Sequence, residues 1–244
     1  MRRVVVVQAR MTSTRLPGKV LADVAGRPML AQQLRRLAAC RLADELVVAT
    51  TVNATDDPVV AVARGEGARW FRGSEADVLE RYVGAAREAR ADVVVRITAD
   101  CPLIDPDVSD RVVAALTDAP ARWDYVSNVA PRTYPRGLDT EALFVDTLER
   151  VHRMARSHAA REHVTPFIYQ ERPDLFALGS VTDREDNSDL RWTVDTPADL
   201  ELVRRLYAAL GIGERAVGYH ELLAYARGHP ELPAPNAPIA SRGA

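Results

Sequence analysis

The segment Gln8-Ala-Arg-Met-Thr-Ser-Thr-Arg-Leu-Pro-Gly-Lys19 gathers Arg10, Arg15 and Lys19 in one short loop with Ala9, Ser13 and a Pro-Gly turn. Forked guanidiniums match pairs of phosphate oxygens, an ammonium supplies a compact charge, and the N–H groups of a tight turn add further donors. The set suits a polyphosphate. Its spacing is neither GxxxxGK[ST] nor GxGxxG, which excludes the P-loop and dinucleotide readings. A solvated basic turn is the plainer alternative, and composition weighs against it. Among 32 Lys plus Arg residues, Lys19 is the single lysine, and a generic surface cation in so arginine-biased a chain would be arginine.

Two aspartates end strand-like runs: Asp100 in Thr98-Ala99-Asp-Cys-Pro-Leu-Ile-Asp105, and Asp195 in Arg191-Trp-Thr-Val-Asp195. Magnesium takes one or two protein carboxylates and completes its shell with water and substrate oxygens, so both are candidate Mg²⁺ ligands. An Asx turn before Pro102 competes for Asp100, and stabilisation of the following helix N-terminus competes for Asp195. Arg72, Gly73 and Ser74 fall on a strand-to-helix turn that could hydrogen-bond a base or ribose. A plain helix start, with Ser74 as N-cap and Asp77 at N3, explains that segment almost as well. Tyr134-Pro-Arg136-Gly-Leu-Asp139-Thr-Glu141 and Arg161-Glu162-His163 could clamp a hydroxylated acid, against the bland alternative of solvated turn and helix faces. His158 and His163 lack the one-turn spacing of a paired metal site, and Cys40 and Cys101 form no CxxC or Cys/His cluster.

The elements that must carry these groups follow from periodicity. Val4 to Val7 is β-branched and unalternating, as in a parallel strand covered on both faces. Leu30, Leu34 and Leu37 then recur at helical spacing. Strand-like 46–50, 69–72 and 92–97 alternate with helix-like 58–64 and 77–89, which predicts a parallel α/β domain. Further along, 107–116, 146–154 and 161–170 read as helices, and 124–127, 138–145, 176–181 and 191–194 as strands. Thr196 and Pro197 supply the N-cap and N1 of a helix running to Leu206. Residues 1–227 are expected as one domain, 128–172 as a lid, acceptor-binding or dimer-forming region, and 228–244 as a proline-rich tail.

Composition bounds the function. A chain of 244 residues, 47% hydrophobic, accommodates one well-cored domain. The net charge of −2 gives no global attraction to nucleic acid or anionic membranes, so any anion site must be local. No apolar run approaches the ~20 residues of a membrane span, and the N-terminal sequence lacks a secretory pattern, so a cytoplasmic location is expected.

Taken in order, QARMTSTRLPGK, FRGSEADVLERY, RITADCPLID, YPRGLDTE, REHVTP and RWTVDTPADLE resemble the cytidylyltransferases of the acylneuraminate and ketodeoxyoctonate type, particularly the spore-coat polysaccharide branch. The similarity runs from about Val4 to Leu206. It implies a Rossmann-like nucleotidyltransferase fold, a three-layer α/β sandwich with a mostly parallel mixed sheet, and transfer of CMP from CTP to a sugar acid or similar small acidic acceptor. It also implies a homodimer. Ala9, Arg10, Ser13, Arg15 and Lys19 would take the phosphates, Arg72 to Asp77 the cytosine and ribose, and Asp100 and Asp195 the metal. Tyr134, Arg136, Asp139, Glu141, Arg161, Glu162 and His163 would face the acceptor. Ala99 departs from the glycine often found before this aspartate, and its methyl would narrow the approach to the nucleotide. A uridylyltransferase, a phosphonate cytidylyltransferase, a glycosyltransferase and a catalytically silent nucleotide-binding subunit are the alternatives.

Overall fold

Four consecutive valines leave β1 (Arg3–Gln8) no polar side to turn toward water, and it runs through the middle of the sheet. A computed structural model describes residues 1–232; most of the expected tail, from residue 233 on, lies outside the described residues. The remaining strands are β2 (Asp23–Val24), β3 (Arg27–Pro28), β4 (Glu45–Thr51), β5 (Arg69–Gly73), β6 (Val93–Thr98), β7 (Tyr125–Ser127), β8 (Glu141–Phe144) and β9 (Leu178–Ser180). The helices are α1 (Met29–Leu37), α2 (Asp57–Gly65), α3 (Val78–Glu88), α4 (Pro106–Thr117), α5 (Val145–Met154), α6 (His158–His163), α7 (Pro197–Leu210) and α8 (Tyr219–Gly228).

The seven-stranded sheet has the order β5-β4-β1-β6-β8-β7-β9, with β2 and β3 forming a separate antiparallel ribbon. Strands β5, β4, β1 and β6 are parallel, whereas β8 is antiparallel to both of its neighbours. Alternate valines of β1 enter different cores. Val4 and Val6 pack with Leu79, Tyr82 and Val83 of α3 and Leu148 of α5. Val5 and Val7 pack with Leu30 and Leu34 of α1, Val59 of α2 and Val112 of α4. This is the three-layer α/β sandwich that the unalternating run implied. A third core joins Tyr134, Trp192 and Tyr219 to α7.

Chain connections leave β1 toward β4 on one side and return to β6 on the other. The C-terminal ends of β1 and β6 therefore border a switch point, where open α/β sheets form a crevice. Gln8 and Thr98 pair at that edge.

Three local expectations are corrected. Residues 191–194 form no strand; Arg191 makes a single bridge to Arg136, and Val194 N–H donates to the Asp100 carbonyl at 2.8 Å. The next amides, those of Asp195 and Thr196, are claimed by the Asp199 carboxylate of the helix cap, which leaves too little chain for a ladder. The helix expected over 161–170 is interrupted: α6 stops at His163, Val164 takes φ 71°, and Phe167–Glu171 makes one π-turn. Pro166 explains the break, since it lacks an N–H and disfavours helical backbone at Thr165. The α3 N-cap is Asp77, which accepts from Glu80 N–H at 2.8 Å, and not Ser74. Helix α8 and the β2–β3 ribbon are absent from the sequence expectations. The stretch 128–172 contributes β8 to the sheet and α5 to a core layer.

Thr196 caps α7 as expected, in a capping box with Asp199 and with Pro197 at the first turn. Gly137 holds the Arg136 loop against this region. Its φ is +107°, and a Cβ there would lie 2.8 Å from the Trp192 carbonyl carbon. Gly137→Ala is expected to cost ~1–3 kcal/mol of stability through backbone strain and overpacking. The urea midpoint measures this, and an unchanged midpoint would contradict the close approach.

Candidate active site

A cleft of about 310 Å³ opens at the C-terminal edge of β1 and β6. Gln8, Ala9 and Thr98 to Asp100 lie at those strand ends. The loop bearing Arg10, Ser13, Arg15 and Lys19 forms one wall, and Val78 and Arg81 of α3 with Glu162 and His163 of α6 form another. The loop is held by its own backbone: Ser13 and Gly18 N–H both donate to the Met11 carbonyl at 2.9 Å, and Gly18 takes φ 72°. Met11 N–H in turn donates to Asp56 at 2.8 Å, a buried carboxylate that also accepts from Thr50 and Thr51.

At the centre is Lys19. Its Nζ donates to the Val194 carbonyl at 2.7 Å and to Asp195 Oδ1 at 2.9 Å, and lies 3.6 Å from Asp100 Oδ2. Arg15 reaches the same Asp195 oxygen at 2.8 Å, while Arg191 holds Asp195 Oδ2 at 2.9 Å. All five side chains singled out as the phosphate and metal set, Arg10, Arg15, Lys19, Asp100 and Asp195, line this one cleft. Thr196 and Asp199 together cap α7, and the Asp195 carboxylate faces the cations.

The donor set fits a hard divalent ion. Asp100 Oδ1 accepts from the Thr98 hydroxyl at 2.5 Å, which leaves Oδ2 toward the cleft with only the distant Lys19 contact. Asp195 is within reach of the same ammonium but is already saturated by basic groups. Among the described residues no group of three or more His, Cys, Asp or Glu side chains forms a closed metal cage. An open site with one or two carboxylates is the arrangement that magnesium accepts.

The other predicted groups divide. Arg10 makes only long contacts with Glu75, at 3.5 Å to its carbonyl and 3.8 Å to its carboxylate. Arg72 does not line the cleft; its donors go to the Thr51 and Asn53 carbonyls and to Asp57, bracing the β4–α2 turn. Gly73 closes β5, and the Ser74 hydroxyl accepts from Asp77 N–H at 3.0 Å. Asp77 and Arg161, expected on different substrates, are paired with each other, with Arg161 Nε to Asp77 Oδ2 at 2.8 Å. Tyr134 is buried, its hydroxyl accepting from Arg111 at 3.1 Å.

Arg136, Asp139 and Glu141 line a second cavity of about 360 Å³, which shares Arg96 and Thr98 with the first. Arg132 forms a bidentate pair with Asp139 there, at 2.6 and 2.9 Å. Arg96, absent from the sequence candidates, stands between the cavities and pairs with the buried Glu141. Burial opposes its charge, but Glu141 more than compensates and its pKa is raised. Glu141 also accepts from the Tyr125 hydroxyl at 2.5 Å and the Thr165 hydroxyl at 2.7 Å; burial and that carboxylate together push the Tyr125 phenol pKa well up. Glu141 thus acts as a hub between β8, β6 and the π-turn region. Arg81 and Gln8 were likewise not singled out. An Arg at a buried position of α3 reads in sequence as an ordinary helix-face cation.

A mixed sheet whose switch point brings together a basic loop, an aspartate just after β6 and a second aspartate just before α7 suits a nucleotidyltransferase. The cytidylyltransferase family model matches residues 4–225, and the chain belongs to that family. An uncharacterised protein of Methanocaldococcus jannaschii is 37% identical over 203 residues, covering 82% of this chain and 81% of its own. The spore coat polysaccharide biosynthesis protein SpsF of Bacillus subtilis is 33% identical over 213 residues, covering 84% and 86%. The solved structure of a cytidylyltransferase from Leptospira borgpetersenii serovar Hardjo-bovis superposes with a TM-score of 0.92 at 30% identity, covering 97% of this chain and 98% of that one.

The Arg96–Glu141 pair yields a stability prediction. Removing one member of a buried pair strands the other charge, so Glu141→Gln should lose ~3 kcal/mol. The double variant Arg96→Met/Glu141→Leu should recover more than half of that loss. Chemical denaturation compares the three chains, and a double variant no more stable than the single would refute the account.

Proposed function

We propose that the chain binds CTP in the first cleft and transfers its cytidylyl group to a hydroxyl of a small acidic acceptor, a sugar acid or a close analogue, with release of pyrophosphate. The observation that carries this reading is the Lys19 ammonium set between Asp195 and Asp100, with Arg15 on the same carboxylate. Cations for a triphosphate and carboxylates for a metal converge in one crevice, and the family relationship supplies the nucleotide. In the reaction the acceptor oxygen forms a bond to the α-phosphorus as the bond from that phosphorus to the pyrophosphate oxygen breaks, and the hydroxyl proton is lost. Positioning in line and neutralisation of developing charge supply the rate. Arg10, Arg15 and Lys19 carry the charge on the leaving pyrophosphate.

Asp100, with an oxygen turned to the cleft, would hold Mg²⁺, and Asp195 would join it once Arg15 and Lys19 are drawn to the triphosphate. When bound, the ion neutralises phosphate charge and favours the ionised acceptor hydroxyl. The second cavity is the acceptor's place in this reading. The side chain of Arg136 is exposed and makes no ion pair among the described residues, so it is available to a carboxylate. Arg132 with Asp139 can meet hydroxyl groups, and Glu162 and His163 border the approach from the first cleft. Tyr134 and Glu141 act by positioning, as their polar atoms are engaged by protein partners. The resemblance also suggests a homodimer, which sedimentation would check.

A pyrophosphate-release assay with CTP, UTP, ATP and GTP against sugar acids and phosphonates is expected to select CTP. Lys19→Met and Asp100→Ala should each lower turnover more than tenfold, ~1.4 kcal/mol or more in the barrier, with the fold retained by circular dichroism. Full cytidylyl transfer by a folded Asp100→Ala enzyme would remove the metal role. Equal use of another nucleotide would remove the CTP assignment.

A further inference from the structure

Among the described residues, one guanidinium lining the cleft has no carboxylate at ion-pair distance. Arg81 lies on α3, is 2% exposed, and lines the first cleft. Its single hydrogen bond runs from Nη1 to the Ser74 carbonyl, and its buried Nε has no partner. The other arginines lining the first cleft face carboxylates, Arg96 facing Glu141, Arg15 Asp195 and Arg10, at 3.8 Å, Glu75, while Arg136 of the second cavity is unpaired among the described residues but exposed, so its charge stays solvated. Arg81 makes no ion pair among the described residues. Burial lowers its pKa, and Arg10 acts in the same direction, against opposing contributions from Tyr82, Asp56 and Glu75, none of which pairs with it directly.

The side chain is nonetheless held in place. Its stem passes over Gly73, where a Cβ would lie 3.2 Å from Arg81 Cγ, so the glycine leaves the arginine room to run along β5. The Ser74 carbonyl then fixes one end of the guanidinium. A buried cation without a counterion is costly, and removing it in favour of an apolar side chain is commonly neutral or stabilising. Positioning such a group beside a second loosely paired guanidinium, Arg10, creates a place for an anion carried in from outside.

We propose that Arg81, together with Arg10, binds the phosphate chain of the nucleotide from the α3 wall of the cleft. This rests on the nucleotide reading given above and adds to it a contact that complements Arg15 and Lys19. The bound phosphate supplies the counter-charge that the free protein lacks. Arg81 is therefore a ligand-binding group whose presence weakens the empty protein.

Arg81→Met keeps the stem and removes the charge; Arg81→Lys keeps the charge without the fork; Arg81→Gln retains a donor for Ser74 and stands in if the Met variant does not fold. Each is titrated calorimetrically with CTP, cytidine and inorganic tripolyphosphate, and melted without ligand. The Met variant is expected to bind CTP and tripolyphosphate at least tenfold more weakly and cytidine as the parent does, with an unchanged or higher melting temperature. The Lys variant should recover part of the affinity. Unchanged CTP and tripolyphosphate binding, with a lowered melting temperature, would make Arg81 a structural strut and overturn the proposal. An equal loss for cytidine would place the contact on the nucleoside and overturn it too. If the parent binds tripolyphosphate but not CTP, the nucleotide reading fails, while the Met variant's tripolyphosphate affinity still decides the anion role.

Discussion

One ammonium ties together three separated pieces of chain. Lys19 comes from the loop after β1, Asp100 from the end of β6, and Val194 and Asp195 from the approach to α7, and Lys19 Nζ is within 4.0 Å of all three. Lys19 opens a short 3-10 turn, whereas Asp100, Val194 and Asp195 lie outside helices and strands, so the contact joins segments that no β-ladder ties together. Arginine would reach these oxygens poorly: a planar fork cannot place one charge among a carbonyl and two carboxylates from different directions, whereas a compact ammonium with three donors can. The single lysine in the sequence stands at the position whose geometry requires one.

This also explains what could be read in advance. The valine run, the alternation of strands and helices, and the Thr196-Pro197 start are local signals, and each appears in the structure where its pattern placed it. Four of the charged groups of the first cleft were legible because the loops after β1 and β6 leave one edge of a parallel sheet, which topology brings together, whereas Asp195 reaches the cleft from the segment before α7 without the strand expected there. The limits were equally physical. Arg72 and Asp77 have the residue types of a binding turn, yet nearby carbonyls and a carboxylate absorb Arg72, while Asp77 caps α3 and pairs with Arg161. Whether a polar group is spent on the protein or left for a ligand depends on partners distant in sequence. Arg81 and Arg96 show the converse. Both were hidden in ordinary strand and helix patterns, and their importance comes from burial and from the presence or absence of a carboxylate opposite them.

The two cavities are built on different principles. The first is bounded by a turn-rich basic loop in which Arg10 and Arg15 make long or single ion pairs and Lys19 is shared between two carboxylates. The second is framed by closed pairs, Arg96 with Glu141 and Arg132 with Asp139, which leave few polar atoms uncommitted. Closed pairs hold the second cavity's frame, although the buried Arg96 Nε has no partner, whereas in the first cleft the Arg81 guanidinium faces no paired carboxylate among the described residues. Rigidity on one side and unmet electrostatic demand on the other suit a reaction in which one partner is a highly charged polyphosphate and the other a small molecule requiring orientation.

The reversal of strand direction after β6 has a geometric meaning. Only β8 runs against the rest of the sheet: it pairs antiparallel with β6, from Val93–Phe144 to Arg96–Glu141, and with β7, while β7 and β9 are parallel to each other. The segments flanking β8 supply most of the second cavity's wall, and through Glu162 and His163 they also reach the rim of the first. One reversed strand thus gives the sheet a second rim, and with it a second cavity beside the one at the ends of β1 and β6.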